Sequence, residues 1–112
     1  MAGGAILALA SDFRLVGPNA RIGVTEVPVG IPFPAPVVDL VRARLPAQEH
    51  APALLRGTIR AGEECVHTGW AHGDVASEDL VPRALALATE LAEHHPIAFA
   101  AAKSDTAPLV AA

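Results

Sequence analysis

Residues 2–14, Ala-Gly-Gly-Ala-Ile-Leu-Ala-Leu-Ala-Ser-Asp-Phe-Arg, and residues 20–32, Ala-Arg-Ile-Gly-Val-Thr-Glu-Val-Pro-Val-Gly-Ile-Pro, decide how this chain is read. A glycine pair, Gly3-Gly4, opens an apolar run of good helix formers that reaches Ala10 and stops at Asp12. That composition predicts a short buried helix, apolar on all sides. Main-chain N–H groups at such a helix start can hold a negatively charged oxygen. Downstream, Glu26 stands among Val24, Val27 and Val29. A carboxylate with apolar neighbours is a candidate proton carrier. The two features together suggest a site that stabilises an enolate while a proton moves.

Outward from these stretches, glycine and proline punctuate the chain. Phe13 to Val16 reads as a strand closed by Gly17-Pro18-Asn19, and Arg21 to Val24 as a second strand leading to Glu26. Five residues among positions 28–36 (Pro28, Gly30, Pro32, Pro34 and Pro36) predict an irregular loop. Pro36 reads as the first residue of a helix with Val37, Val38, Leu40, Val41 and Leu45 on its apolar face, stopped by Pro46. Ala47 to Arg56 is the next helix, ended by Gly57. Ala61 to Thr68 predicts a short helix closed by Gly69, and Trp70 to Val75 an extended piece. The clearest helix follows. Leu80, Ala84, Leu87, Ala88 and Leu91 recur at helical spacing, with Ser77 or Asp79 as cap and Pro82 in the first turn. His94-His95-Pro96 breaks it, and Ile97 to about Ser104 forms a last, alanine-rich helix.

Composition narrows the function classes. The 112 residues allow one domain with a modest core, and 52% hydrophobic against 18% charged residues is a globular balance. Aromatics are only 4%, so the core is built from small side chains and leans on close helix packing or on a partner chain. A net charge of −4 without a basic stripe argues against nucleic acid. The one cysteine, Cys65, excludes an internal disulfide and fits a reducing compartment. Ala2 to Ala10 has the look of a secretory core, but no Lys or Arg precedes it and no run reaches the ~20 apolar residues of a membrane span. The expected location is therefore cytoplasmic. Two or three short strands are too few for a self-sufficient sheet.

Ala2-Gly3-Gly4, Leu9-Ala10-Ser11-Asp12-Phe13-Arg14 and Ala20 to Pro32, with Leu54-Leu55-Arg56-Gly57, Ala61-Gly62-Glu63-Glu64-Cys65, Gly69-Trp70-Ala71-His72 and Pro96-Ile97-Ala98 before Ala101-Ala102-Lys103, resemble the crotonase (enoyl-CoA hydratase/isomerase) superfamily. The resemblance runs over nearly the whole chain and implies an α/β fold, a superhelix of ββα units. Here it would be a helix-rich, C-terminal half, with the N-terminal sheet region missing. Residues 1–76 would form a partial core and residues 77–112 a helical trimerisation region. The family binds acyl-CoA thioesters and assembles as trimers or hexamers. The resemblance therefore implies an acyl-CoA substrate and a homo-oligomer. No separate cofactor is implied, because coenzyme A is carried by the substrate.

Residue by residue, the resemblance makes Glu26 the catalytic carboxylate and gives Gly3 one of two main-chain N–H donors to the thioester oxygen. The other donor would lie upstream. Gly4 and Phe33 would border the substrate. Against this stand plainer readings: Glu26 as a surface glutamate, the glycines as a means of close helix–strand packing, and Phe33 as a core aromatic. Hydratases carry a second carboxylate where this chain has Ile6. Hydration uses two carboxylates, so isoleucine there favours single-carboxylate, isomerase-type proton transfer. Thr25 replaces the usual proline before Glu26. The alternative is a non-catalytic chain that acts only in subunit association. No metal site is expected, since His94 and His95 are adjacent and point to different faces. Cys65 reads as a buried structural thiol, Trp70 as a core or subunit-contact residue, and Lys103 as a solvated lysine rather than a CoA-phosphate ligand.

Overall fold

The computed structural model describes residues 2–26 and 30–106. Helices α1 (Ala2–Ala10), α2 (Ala35–Arg44), α3 (Ala47–Arg56), α4 (Glu64–His67), α5 (Leu80–Ala92) and α6 (Pro96–Thr106) dominate. Between them lie four two-residue strands, β1 (Leu15–Val16), β2 (Arg21–Ile22), β3 (Arg60–Ala61) and β4 (Gly73–Asp74). β1 runs parallel to β4, with Leu15 opposite Gly73, and β2 runs antiparallel to β3, with Arg21 opposite Ala61. These two small ribbons do not join into one sheet.

The helix ends follow their punctuation. Pro34 precedes α2 and Pro36 lies in its first turn, where a missing N–H costs nothing. α3 ends at Gly57 in the left-handed conformation (φ 62°), whose N–H returns to the Pro52 carbonyl. Gly69 (φ 88°) is tighter still: a Cβ there would lie 2.5 Å from Pro46 Cδ. That contact seats the turn after α4 against the start of α3.

Four expectations about element boundaries and caps need correction, the first being that the strand read at Arg21 to Val24 is only Arg21–Ile22. The predicted strand at Phe13–Val16 is only Leu15–Val16, because its partner β4 is two residues long and the Arg14 side chain turns inward. Ala61 belongs to β3 rather than to a helix, and α4 covers only Glu64–His67. Neither Ser77 nor Asp79 caps α5 with its side chain. A 3-10 turn at Ser77–Asp79 leads into the helix instead, closed by the Leu80 N–H on the Ser77 carbonyl.

The core lies where α1, α2, α3 and α4 meet β2 and the turn before β4. Leu9, Val24, Val41, Ala53, Cys65 and Trp70 are fully buried there, with Ala5, Leu40 and Leu45 around them. α1 is not buried on all sides: Ala5 and Leu9 face the core while Leu7 is 74% exposed. Helices α5 and α6 contain no buried residue. The radius of gyration, 14.9 Å, exceeds the ~13 Å of a compact chain this long.

Polar groups lock the core. Arg60 grips Glu49 through two bonds of 2.9 Å, and the Trp70 indole N–H donates to the same carboxylate at 2.9 Å. Arg14, also buried, donates to the Trp70, Ser11 and Gly69 carbonyls at 2.6, 2.9 and 3.4 Å. Fully partnered networks of this kind fix one arrangement of the elements they join.

Candidate active site

The site region is built on α1 and on the chain that leaves β2. Gly3 and Gly4 lie in the first turn of α1, where main-chain N–H groups have no partner within the helix. Gly4 is exposed, and a Cβ built on it would meet nothing within 4 Å. Close helix–strand packing is therefore not the reason for glycine at this position. Gly4 instead borders a hollow of about 180 Å³ shared with Ala5, Val16, Ala20, Arg21 and Ile22. The start of α1 and strand β2 thus face one small space.

Past Ile22 the chain is held firmly. Gly23 is buried, and a Cβ there would sit 3.0 Å from the Thr58 carbonyl oxygen. Val24 is fully buried. Glu26 then occupies a turn, closed by the Ile31 N–H on the Glu26 carbonyl at 2.8 Å. Its side chain is half-buried, and its Oε2 is shielded from solvent with no hydrogen-bond partner among the described residues. Polar atoms left in this condition are rare, since each forgoes the hydration it had in the unfolded chain. Glu26 does not line the hollow beside Gly4, so the described residues do not bring the two into one cavity. Of the three valines expected to surround Glu26, Val24 is buried in the core, while Val27 and Val29 lie outside the described residues.

Phe33 is half-buried and packs against the hydrophobic core, as does Ile6 on α1. Gly3, Gly4 and Ile6 therefore share one helix, Glu26 follows the strand beside it, and Phe33 lies beyond the Glu26 turn.

Other expectations fall into place or shift. Cys65 is a buried free thiol whose pKa burial pushes up, followed by the nearby Glu64 charge. Trp70 is wholly in the core. Lys103 is not simply solvated: its Nζ meets Asp12 Oδ2 at 3.0 Å. Asp12 also takes a 3.4 Å contact from Arg44, so Lys103 and then Arg44 hold its carboxyl below the ordinary range. His94 stacks on Phe99, and His95 accepts the Ala98 N–H. Among the described residues no group of His, Cys, Asp and Glu could hold a metal ion.

Sequence reasoning missed the polar groups around the end of α1. The Arg14 N–H donates to His72 Nδ1 at 3.0 Å, which requires that nitrogen to be unprotonated. Burial, then Arg14 and Arg44, keep the His72 pKa below its ordinary 6.5. Burial lowers the Arg14 guanidinium as well, with Arg44 adding to it. Only the fold joins residues 14 and 72, and no local motif marks them.

Comparison with known proteins bears on the fold and the family. The model of the enoyl-CoA hydratase/isomerase family matches residues 1–108. The probable enoyl-CoA hydratase EchA17 of Mycobacterium tuberculosis is 34% identical over 102 residues, which are 90% of this chain and 39% of that protein. This chain thus spans 39% of the length of the curated relatives it matches. Among solved structures, the probable enoyl-CoA hydratase EchA3 of M. tuberculosis superposes with a TM-score of 0.89 at 27% identity, over 94% of this chain and 44% of that one. A second structure of the same M. tuberculosis protein, there called an enoyl-CoA isomerase, gives 0.89 at 27% identity, over 94% and 46%. An enoyl-CoA hydratase/isomerase family protein from Pseudomonas syringae gives 0.82 at 27% identity, over 94% and 45%. With its crotonase-type fold and a family match over nearly every residue, the chain belongs to the enoyl-CoA hydratase/isomerase family.

Proposed function

We propose that this chain carries the proton-transferring part of an acyl-CoA site, with Glu26 as acid and base and the Gly3 N–H as one oxyanion donor. Gly4 and Phe33 border the acyl thioester. The observation that carries this reading is the shielded, unpartnered Oε2 of Glu26 on an anchored turn. Ile6, packed against the core, stands where a second carboxylate would serve hydration, so the reaction is an isomerisation. Glu26 takes a proton from C2 of a 3-enoyl thioester, and the electrons move into the thioester oxygen as a dienolate. Donors at the start of α1 stabilise that charge. The protonated Glu26 returns its proton at C4, leaving the 2-enoyl thioester. Atoms and charge balance without a cofactor. A cytoplasmic homo-oligomer, trimeric or hexameric, goes with this reading.

One feature favours a second reading, a non-catalytic subunit-association module. Val81, Leu85 and Ile97 on α5 and α6 are 68%, 62% and 76% exposed. The purified chain incubated with a short 3-enoyl-CoA ester separates the two. The first reading expects conversion to the 2-enoyl ester without the 3-hydroxy product, and a ~10²–10⁴-fold loss in Glu26→Gln. Turnover indifferent to that substitution overturns the role of Glu26. No turnover by a stable oligomer leaves the association reading.

A further inference from the structure

A groove with a cationic end lies between α5, α6 and the segment that follows α1. Its α5 wall is the stripe Leu80, Ala84, Leu87, Ala88 and Leu91, facing Phe13 and Leu15 across a hollow of about 470 Å³. The stripe covers ~16 Å at the helical rise. Asp12, Phe13 and Leu91 also wall a second hollow of about 390 Å³, under α6, with Phe99 and Ala102 as its apolar side. The polar side of that second hollow is Arg44, His72, Lys103, Thr106 and Asp12. Both volumes fall in the range of small-molecule pockets, ~300–1,000 Å³.

Charge in the second hollow is out of balance. Asp12 is its only carboxylate and must serve both Arg44 and Lys103. The contact to Arg44 is long, 3.4 Å, and Arg44 Nε is shielded with no acceptor among the described residues. Behind them Arg14 is buried, and its side-chain bonds go to carbonyl groups rather than to a carboxylate. A hollow with two cations against one carboxylate, continuous with an apolar stripe on an exposed helix, has the chemistry of a receptor for an anionic amphiphile. None of these residues is Gly3, Gly4, Glu26 or Phe33, and the proposal does not rest on the proposed isomerisation.

We propose that this groove binds a medium-chain fatty carboxylate, its head between Arg44 and Lys103 and its tail along the α5 stripe. The charged head selects against neutral amphiphiles, and each methylene buried on Leu87 and Leu91 adds to affinity.

Isothermal titration of the whole chain with decanoate tests this. Saturable one-to-one binding is expected, tighter than octanoate by about fourfold per methylene. Decan-1-ol should bind about tenfold more weakly, and Lys103→Gln should weaken decanoate to a similar degree. Arg44→Gln repeats the test on the shielded side. Lys103 also ties α6 to Asp12, so Lys103→Arg, which keeps that pair and the positive charge, should hold decanoate as tightly as the parent chain, and a loss there equal to that of Lys103→Gln counts against the proposal. Decanol binding as tightly as decanoate, or decanoate binding unchanged by Lys103→Gln, overturns the proposal. So does the absence of saturable binding, or self-association through the α5 face that decanoate leaves intact.

Discussion

The body of the molecule, from α1 to Val75, and the arm formed by α5 and α6 are both helical, yet they are held by different forces. In the body, Leu9, Val24, Val41 and Trp70 lose all contact with water, and Glu49 is buried with Arg60 and the Trp70 indole bonded to it. In the arm no side chain is buried, and α6 is tied back through the Lys103–Asp12 ion pair. Helical periodicity marks both regions and is clearest in α5. Burial, which sets stability, belongs to one of them.

The sharpest way to break this contrast is to remove bulk from each side. Trp70→Ala should cost ~3–5 kcal/mol and lower the melting temperature steeply, because it empties the core and strips Glu49 of a donor. Leu85→Ala, on the open face of α5, should stay within ~0.5 kcal/mol in the monomer. Equal losses in the two variants would mean that the arm is buried in solution. A smaller effect comes from the turn that seats α4 on α3. Gly69→Ala must hold φ 88° and press on Pro46, so ~1 kcal/mol or more should be lost in denaturant unfolding. An unchanged midpoint would show that this turn is loose.

Acid should act most gently, and on the seam between body and arm. The folded pKa of His72 lies below 6.5, so its contribution to stability is complete above that value and is lost as pH falls from 6.5 toward the folded value. Asp12, held below 3.8, adds a second loss that begins as pH drops under that value and frees Lys103. Melting temperature against pH should therefore fall in two steps. His72→Asn retains an acceptor for the Arg14 N–H and should erase only the upper one. Two steps persisting in that variant would assign the upper one elsewhere.

Much of the fold was legible. Prolines and glycines at 34–36, 46, 57, 69 and 96 set the helix boundaries because each restricts backbone angles locally. Strand lengths were not legible, since β1 can extend only as far as β4 accompanies it. Nor were the bonds that join Glu49 to Arg60 and Trp70 and Arg14 to His72, because they are made by tertiary packing and their charged members look like ordinary surface residues in sequence. For the candidate site, motif spacing singled out Gly3, Gly4 and Glu26. The openness beside Gly4 and the unpartnered Oε2 of Glu26 required coordinates.

The pairing of β1 with β4 has a kinetic consequence. Leu15 meets Gly73 across most of the body, with α2, α3 and α4 threaded between them. Closing so long a loop costs entropy before the short ribbon returns any free energy, whereas α5 and α6 form from neighbours in sequence. During refolding the arm's helices should appear first, and Trp70 should report core formation in a later, slower phase. The most conspicuous helix in the sequence would then be the earliest to form and the least secured afterwards.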